Sequence, residues 1–209
     1  MKKESTKQKI LTEAVKLFSR DGYEAVTVEQ IATAVGIKAP SLYKHYKNKR
    51  DIFDRILERM NQMDYDRARA FDMPEGTMAE MAERYARTPL EKIKIYSEAQ
   101  FLHWTEEEFP TAFRKVLTIE QYRSKEMSTL YHQYLGGGPT AYMADLFSQI
   151  TRDEGNGMQL ALEFYAPMSL LYSMYDAAES AAEKRQITGL LRAHIERFAA
   201  RIERDYNLS

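Results

Sequence analysis

The sequence predicts an all-α protein with a three-helix helix-turn-helix head and a larger helical domain behind it. Three observations lead there. Apolar residues recur at helical spacing almost throughout the chain. Strand signals are nearly absent: there is no Asn-Gly hairpin and no sustained alternation of β-branched residues. The first 50 residues hold three helical patterns separated by glycine stops, which places a domain boundary near residue 50, with 1–50 as the head and 51–209 as the helical domain.

The first helix runs from about Ser5 to Arg20, with Ile10, Ala14, Leu17 and Phe18 on one face; Asp21-Gly22 stops it, glycine taking a left-handed position. Thr27-Val28-Glu29-Gln30 has the form of a capping box and opens a short helix with Val28, Ile31, Ala32 and Val35 inward. Gly36 ends it, and Pro40-Ser41 begins a third helix carrying Leu42, Tyr43 and Tyr46. Asn48, with Asp51 three residues on, caps a fourth that reaches about Phe71. After Met73-Pro74-Glu75-Gly76, the pattern resumes from Met78 to Ala86. Thr88-Pro89-Leu90-Glu91 starts the next helix, which ends near Glu106 to Glu108. Shorter helices follow over about 110–121 and 123–135. Gly136-Gly137-Gly138-Pro139 is a breaker before a helix near 140–152, and Gly155-Asn156-Gly157 precedes two long helices at about 158–179 and 182–205.

Composition narrows the function class. A chain of 209 residues with 44% hydrophobic and 29% charged residues is globular, and no apolar run is long enough for a membrane span. The basic start leads into an amphipathic pattern rather than a secretory leader, so the cytoplasm is the expected location. Zero cysteines remove disulfides, thiolate nucleophiles and Cys-ligated zinc. The net charge of -1 hides an asymmetry: residues 1–50 hold 11 Lys/Arg against 5 Asp/Glu, and residues 51–209 hold 19 against 26. A basic head on an acidic body suits a polyanion partner, although a solvated basic helix would carry the same charge.

The spacing in the head fits a helix-turn-helix. Ala32 is small where two helices cross, Gly36 supplies the turn, and Ile37 and Leu42 plug the core. Lys38, Ala39, Ser41, Tyr43, Lys44 and His45 then project outward, a mixture suited to base edges, thymine methyls and phosphates in a major groove. Thr27 at a helix N-terminus can offer its hydroxyl and backbone N–H groups to a phosphate, and Lys47, Lys49 and Arg50 flank the reader with charge. A plain three-helix bundle with a polar face is the alternative.

The stretch from Lys9 to Phe53 resembles the DNA-binding domain of TetR/AcrR-type regulators. The resemblance rests on LFSRDGY, then T-V-x-x-I-A-x-x-x-G-I, then S-L-Y-x-H-Y-x-N-K, and covers about a quarter of the chain. It implies an all-α, two-fold dimer that represses transcription and is released by a small molecule. It implies that Thr27 and Lys49 bind phosphate and that Lys38, Ala39, Pro40, Ser41, Tyr43, Lys44 and His45 face double-stranded operator DNA, with Tyr43 and His45 mostly on the backbone. Pro40 departs from members with glycine at that point: it can pack on a thymine methyl but has no N–H to donate.

The rest of the chain matches no motif. Apolar stripes on the last two helices, Leu160, Phe164, Leu171, Ile187, Leu191, Ile195, Phe198 and Ile202, either seal the monomer core or form a four-helix dimer interface, and the resemblance favours the dimer. Gly189 lies within the last helix, tolerable where a neighbouring backbone approaches closely, and Pro167 should kink the penultimate one. Phe101, His103, Trp104, Phe113, Tyr122, Tyr131, Phe164, Met168 and Tyr172 are candidates to line a pocket for a flat or hydrophobic effector, with Glu98, Gln100 and His103 as orienting groups; aromatics at helical spacing also make ordinary core. No enzyme signature is present: no G-x-S-x-G elbow, no phosphate loop, no Glu-x-x-His pair for a di-iron site, and therefore no catalytic residue, metal site or cofactor is expected. A helical scaffold for protein partners would explain the bundle but not the basic head.

Overall fold

The structure, a computed structural model, describes residues 5–73 and 89–208. Among these the chain forms ten α-helices and no strand: α1 Thr6–Asp21, α2 Val28–Val35, α3 Ala39–Leu42, α4 Lys49–Ala70, α5 Leu90–Glu106, α6 Glu108–Glu120, α7 Lys125–Leu135, α8 Gly137–Thr151, α9 Gly157–Ala177 and α10 Ala181–Tyr206. The helical pattern expected at Met78 to Ala86 and the Thr88 cap lie outside the described residues.

The helix ends follow from local chemistry. Ser5, Thr27 and Ser180 each close a capping box, with Gln8, Gln30 and Glu183 returning the bond to the cap backbone. Asn48 Oδ1 accepts the Asp51 N–H at 2.8 Å, and Asp51 Oδ2 accepts the Lys47 N–H at 2.8 Å, fixing the start of α4. Two expectations are corrected in detail. The breaker at Gly136 is a single residue, and α8 already contains Gly137, Gly138 and Pro139; a proline in the first turn forfeits no hydrogen bond there. Regular α3 stops at Leu42, after which the chain tightens, the His45 N–H reaching Leu42 O at 2.8 Å.

Two compact units emerge. The first combines residues 5–67 with 107–131. Its core holds Ile10, Phe18, Ile31, Leu42, Ile52, Phe53 and Ile56 with Phe113 and Leu117 from α6, all fully buried or nearly so. The rings of Phe18, Tyr23 and Phe53 meet at centroid distances of 5.1 to 6.4 Å.

The second unit combines residues 68–73, 89–106 and 132–208. Phe147, Phe164 and Phe198 cluster at 4.9 to 5.4 Å, and Phe101 stacks on Tyr172 at 5.0 Å. Helix α9 runs through Pro167, and His194 Nε2 donates to Phe164 O at 2.8 Å beside it. The buried Tyr175 hydroxyl donates to Glu106 Oε1 at 2.6 Å. Burial first, and that bond second, push the phenol up to about 12. A folded value above the unfolded one stabilises fully below about pH 10 and is lost as the pH climbs toward 12, on the order of 2 kcal/mol in all. Urea midpoints across that window are therefore expected to fall less for Tyr175→Phe than for the parent; parallel curves would contradict the assignment.

Leu160, Phe164, Leu171, Ile187, Leu191, Ile195, Phe198 and Ile202 are all buried within the single chain. They pack α9 and α10 against the remainder of their own unit.

Candidate nucleic-acid interface

The turn between α2 and α3 is built by Gly36, at φ +82° and ψ 31°, with its N–H on Thr33 O and the following Ile37 N–H on Ala32 O at 2.9 Å. Lys9 of α1 donates to Val35 O at 2.8 Å, tying α1 to the exposed end of α2. On the far side, Leu42 and Tyr46 are buried, and the Tyr46 hydroxyl donates to Lys7 O at 3.2 Å. These anchors point the intervening residues away from the core. Lys38, Pro40, Tyr43 and Lys44 are exposed, Tyr43 by 49%, while Ala39, Ser41 and His45 are half-buried on the same segment. Thr27 is exposed at the start of α2; its hydroxyl oxygen accepts the Gln30 N–H at 3.2 Å, which leaves the hydroxyl proton to donate.

Lys49 is placed differently from a free surface lysine. Its ammonium donates to Tyr23 O at 2.8 Å and Glu24 O at 3.1 Å and stands 4.5 Å over the Tyr23 ring. Arg50 forms a two-pronged pair with Glu126 at 2.8 and 2.6 Å and also reaches Asp54. That guanidinium holds the Glu126 carboxyl below its usual value.

Comparison with known proteins bears on what this surface is. Residues 10–56 match the model of bacterial regulatory proteins of the tetR family, which is the helix-turn-helix and the start of α4. The HTH-type negative transcriptional regulator IcaR of the biofilm operon icaADBC in Staphylococcus aureus is 28% identical over 140 residues, 61% of this chain and 70% of that protein. Its Staphylococcus epidermidis counterpart is 44% identical over 52 residues, a match spanning only 28% of that protein. In fold, the chain is similar to the fatty acid degradation regulator FadR from Bacillus halodurans, with a TM-score of 0.63 at 17% identity, covering 95% of this chain and 97% of that one. It is also similar to SmeT, the repressor of the Stenotrophomonas maltophilia multidrug efflux pump SmeDEF, with a TM-score of 0.55 at 21% identity, over 94% and 90% of the two chains.

Residues 10–56 thus form a tetR-family helix-turn-helix.

This helix-turn-helix is N-terminal, and a helical body follows. The residues expected to line a pocket do not share one unit of the chain. Phe113, Tyr122 and Tyr131 belong to the first unit; Phe101, His103, Trp104, Phe164, Met168 and Tyr172 belong to the second. Tyr122 is 90% exposed just beyond α6 and lines no enclosed cavity in this conformation. Phe113 is core of the first unit. The second-unit residues are all buried, with Phe101 of α5 stacked on Tyr172 of α9. Of the orienting groups, Glu98 is engaged by Arg192 Nε at 2.7 Å, whereas Gln100 Oε1 is buried and accepts no hydrogen bond among the described residues; His103 is buried. Sequence reasoning passed over Ser97, one turn before Gln100, whose buried hydroxyl likewise has no partner there. No group of three or more metal-ligating side chains and no helix long and apolar enough to cross a membrane occurs among the described residues. A cleft of about 310 Å³ between α9 and α10 is lined by Asn156, Leu160, Glu163, Arg201, Asp205 and Tyr206, mostly polar groups already paired with one another.

Proposed function

We propose that the chain is a cytoplasmic repressor that binds a pseudo-palindromic operator as a homodimer and leaves it when a small hydrophobic or aromatic molecule occupies the second unit. The observation carrying this reading is the outward segment from Lys38 to His45, held by buried Leu42 and Tyr46 and presenting Ser41, Tyr43 and Lys44. Residues 1–50 act as the reader, and the effector-binding and dimerising part lies within 51–209. Lys38, Ala39, Pro40, Ser41 and Lys44 face bases; Thr27, Tyr43, His45 and Lys49 take the backbone.

The dimer uses the outer faces of α9 and α10. Met158, Leu162, Leu170 and Met174 recur on α9 in steps of four and eight residues and are exposed, Leu170 by 64%. Leu190 is exposed on α10 beside Gly189, and no atom of the described chain lies within 4 Å of where a Cβ on Gly189 would stand. A mid-helix glycine costs about 1 kcal/mol against alanine. Nothing among the described residues requires it, whereas a helix of a second copy crossing closely would.

The effector is read from α5. Ser97 Oγ and Gln100 Oε1 are buried polar atoms one turn apart, next to the Phe101–Tyr172 stack. Such a pairing suits a ligand with an apolar body and one or two polar groups. Coupling runs along α4, which begins at Lys49 in the first unit and ends with residues 68–70 in the second. The ligand acts by preferring the conformation in which the two readers are wrongly spaced.

Selecting bound fragments from random DNA tests the reading: an inverted repeat is expected, with half-sites about one helical turn apart. An unenriched pool contradicts it. Lys49→Ala should weaken binding to all sequences alike and lower the salt slope by about one, whereas Ser41→Ala or Lys44→Ala should relax sequence preference. Competition titrations across a mismatch series distinguish the two patterns, and a Lys49→Ala protein with altered preference at full affinity would invert the assignment.

A further inference from the structure

Tyr23, in the loop between α1 and α2, is gripped from two sides. Its backbone N–H donates to Glu120 Oε1 at 2.9 Å, a contact across 97 residues of sequence. Its carbonyl accepts the Lys49 ammonium at 2.8 Å, and its ring lies beneath that same ammonium. Glu120 is the last residue of α6, and its side chain is 2% exposed. A buried carboxylate needs partners, and besides the Tyr23 N–H it has Arg123 Nη1 at 3.3 Å. The loop is shaped to receive it. Gly22 sits at φ +86° and ψ 153°, a region essentially confined to glycine. A Cβ there would stand 3.0 Å from both Glu120 Oε1 and Arg123 Nη1.

We propose that Glu120 is a positioning residue for DNA-backbone binding: by holding the Tyr23 N–H it fixes the Tyr23 carbonyl, which in turn aims the Lys49 ammonium at a phosphate. Lysine has three N–H donors. Two are directed at Tyr23 O and Glu24 O, which leaves one donor for the Glu24 carboxylate, 3.8 Å away, or for a phosphate that takes its place. A lysine already ordered in the free protein gives up less side-chain freedom when it meets the phosphate. Glu120 itself touches no DNA in this arrangement. The proposal rests on the DNA-binding reading of Lys49. The separate Arg50–Glu126 pair keeps the start of α7 beside α4 when Glu120 is replaced.

The experiment uses the full chain and a mixed-sequence duplex, with fluorescence anisotropy read over a range of salt. Lys49→Ala is expected to lose about one unit of salt slope and, near 0.1 M salt, about an order of magnitude in affinity. Glu120→Ala is expected to show the same loss. Glu120→Gln keeps a carbonyl oxygen for the Tyr23 N–H and should stay within about twofold of the parent. The double variant should bind no more weakly than Lys49→Ala, because both changes remove one contact. A parent-like slope in Glu120→Ala, or losses that add in the double variant, would overturn the proposal. Should Glu120→Ala not fold, Glu120→Asp retains the charge for Arg123 but withdraws the oxygen from Tyr23, and a parent-like slope there overturns it equally. A parent protein that binds no duplex at any salt refutes the DNA reading itself, and the positioning role falls with it.

Discussion

The double substitution Leu162→Glu, Leu170→Glu is expected to convert the proposed dimer to monomers and to lower operator affinity by about two orders of magnitude or more. Both side chains are exposed on the outer face of α9, so the subunit has no use for their apolar character and should fold as before. In a four-helix interface, each glutamate would meet its symmetry mate or an apolar neighbour, burying charge without a partner, which costs several kcal/mol. Two linked readers bind as one ligand with a high effective concentration, and separation removes a factor of about 10² to 10⁴. Sedimentation of the variant and anisotropy on the selected operator give both numbers. A variant that remains dimeric would place the interface elsewhere.

Phe18→Ala is expected to cost about 3–5 kcal/mol, because it empties a fully buried ring site. Phe18 is 0% exposed and meets the rings of Tyr23 and Phe53 at 5.1 and 6.4 Å. Total stabilities of single domains are only about 5–15 kcal/mol, so this one side chain decides whether the reader is folded. Loss of Phe18 also frees the loop that carries Tyr23, and DNA binding should disappear with the head. Denaturant titration reads the cost. A penalty under about 1 kcal/mol would mean that the head's core is organised around other residues.

What could be read in the sequence was local. Ser5, Thr27, Asn48 and Pro89 announce helix starts because capping chemistry acts over three or four residues. Gly36 announces the turn for the same reason. The outward character of Tyr43 and Lys44 followed from the spacing of Leu42 and Tyr46, which the structure buries. The face of α9 that looks outward could not be read. Leu160, Phe164 and Leu171 form one apolar stripe, and Met158, Leu162, Leu170 and Met174 form another, so periodicity allowed either to be core. The structure buries the first stripe and exposes the second. Glu120 was also invisible: a carboxylate 97 residues from the N–H it holds carries no local signature. The same holds for α6 as a whole, whose Phe113 and Leu117 complete the core of the head although their sequence position suggested the larger domain.

Hydroxyl-radical footprinting of the dimer on a selected fragment tests the central claim most directly, since it reads where the segment from Lys38 to His45 meets the duplex. Two protected windows on one face of the DNA, with centres about 34 Å apart, are expected, and Lys44→Ala should weaken both equally. A single window, or uniform protection along the fragment, would contradict a two-fold reader that enters successive major grooves.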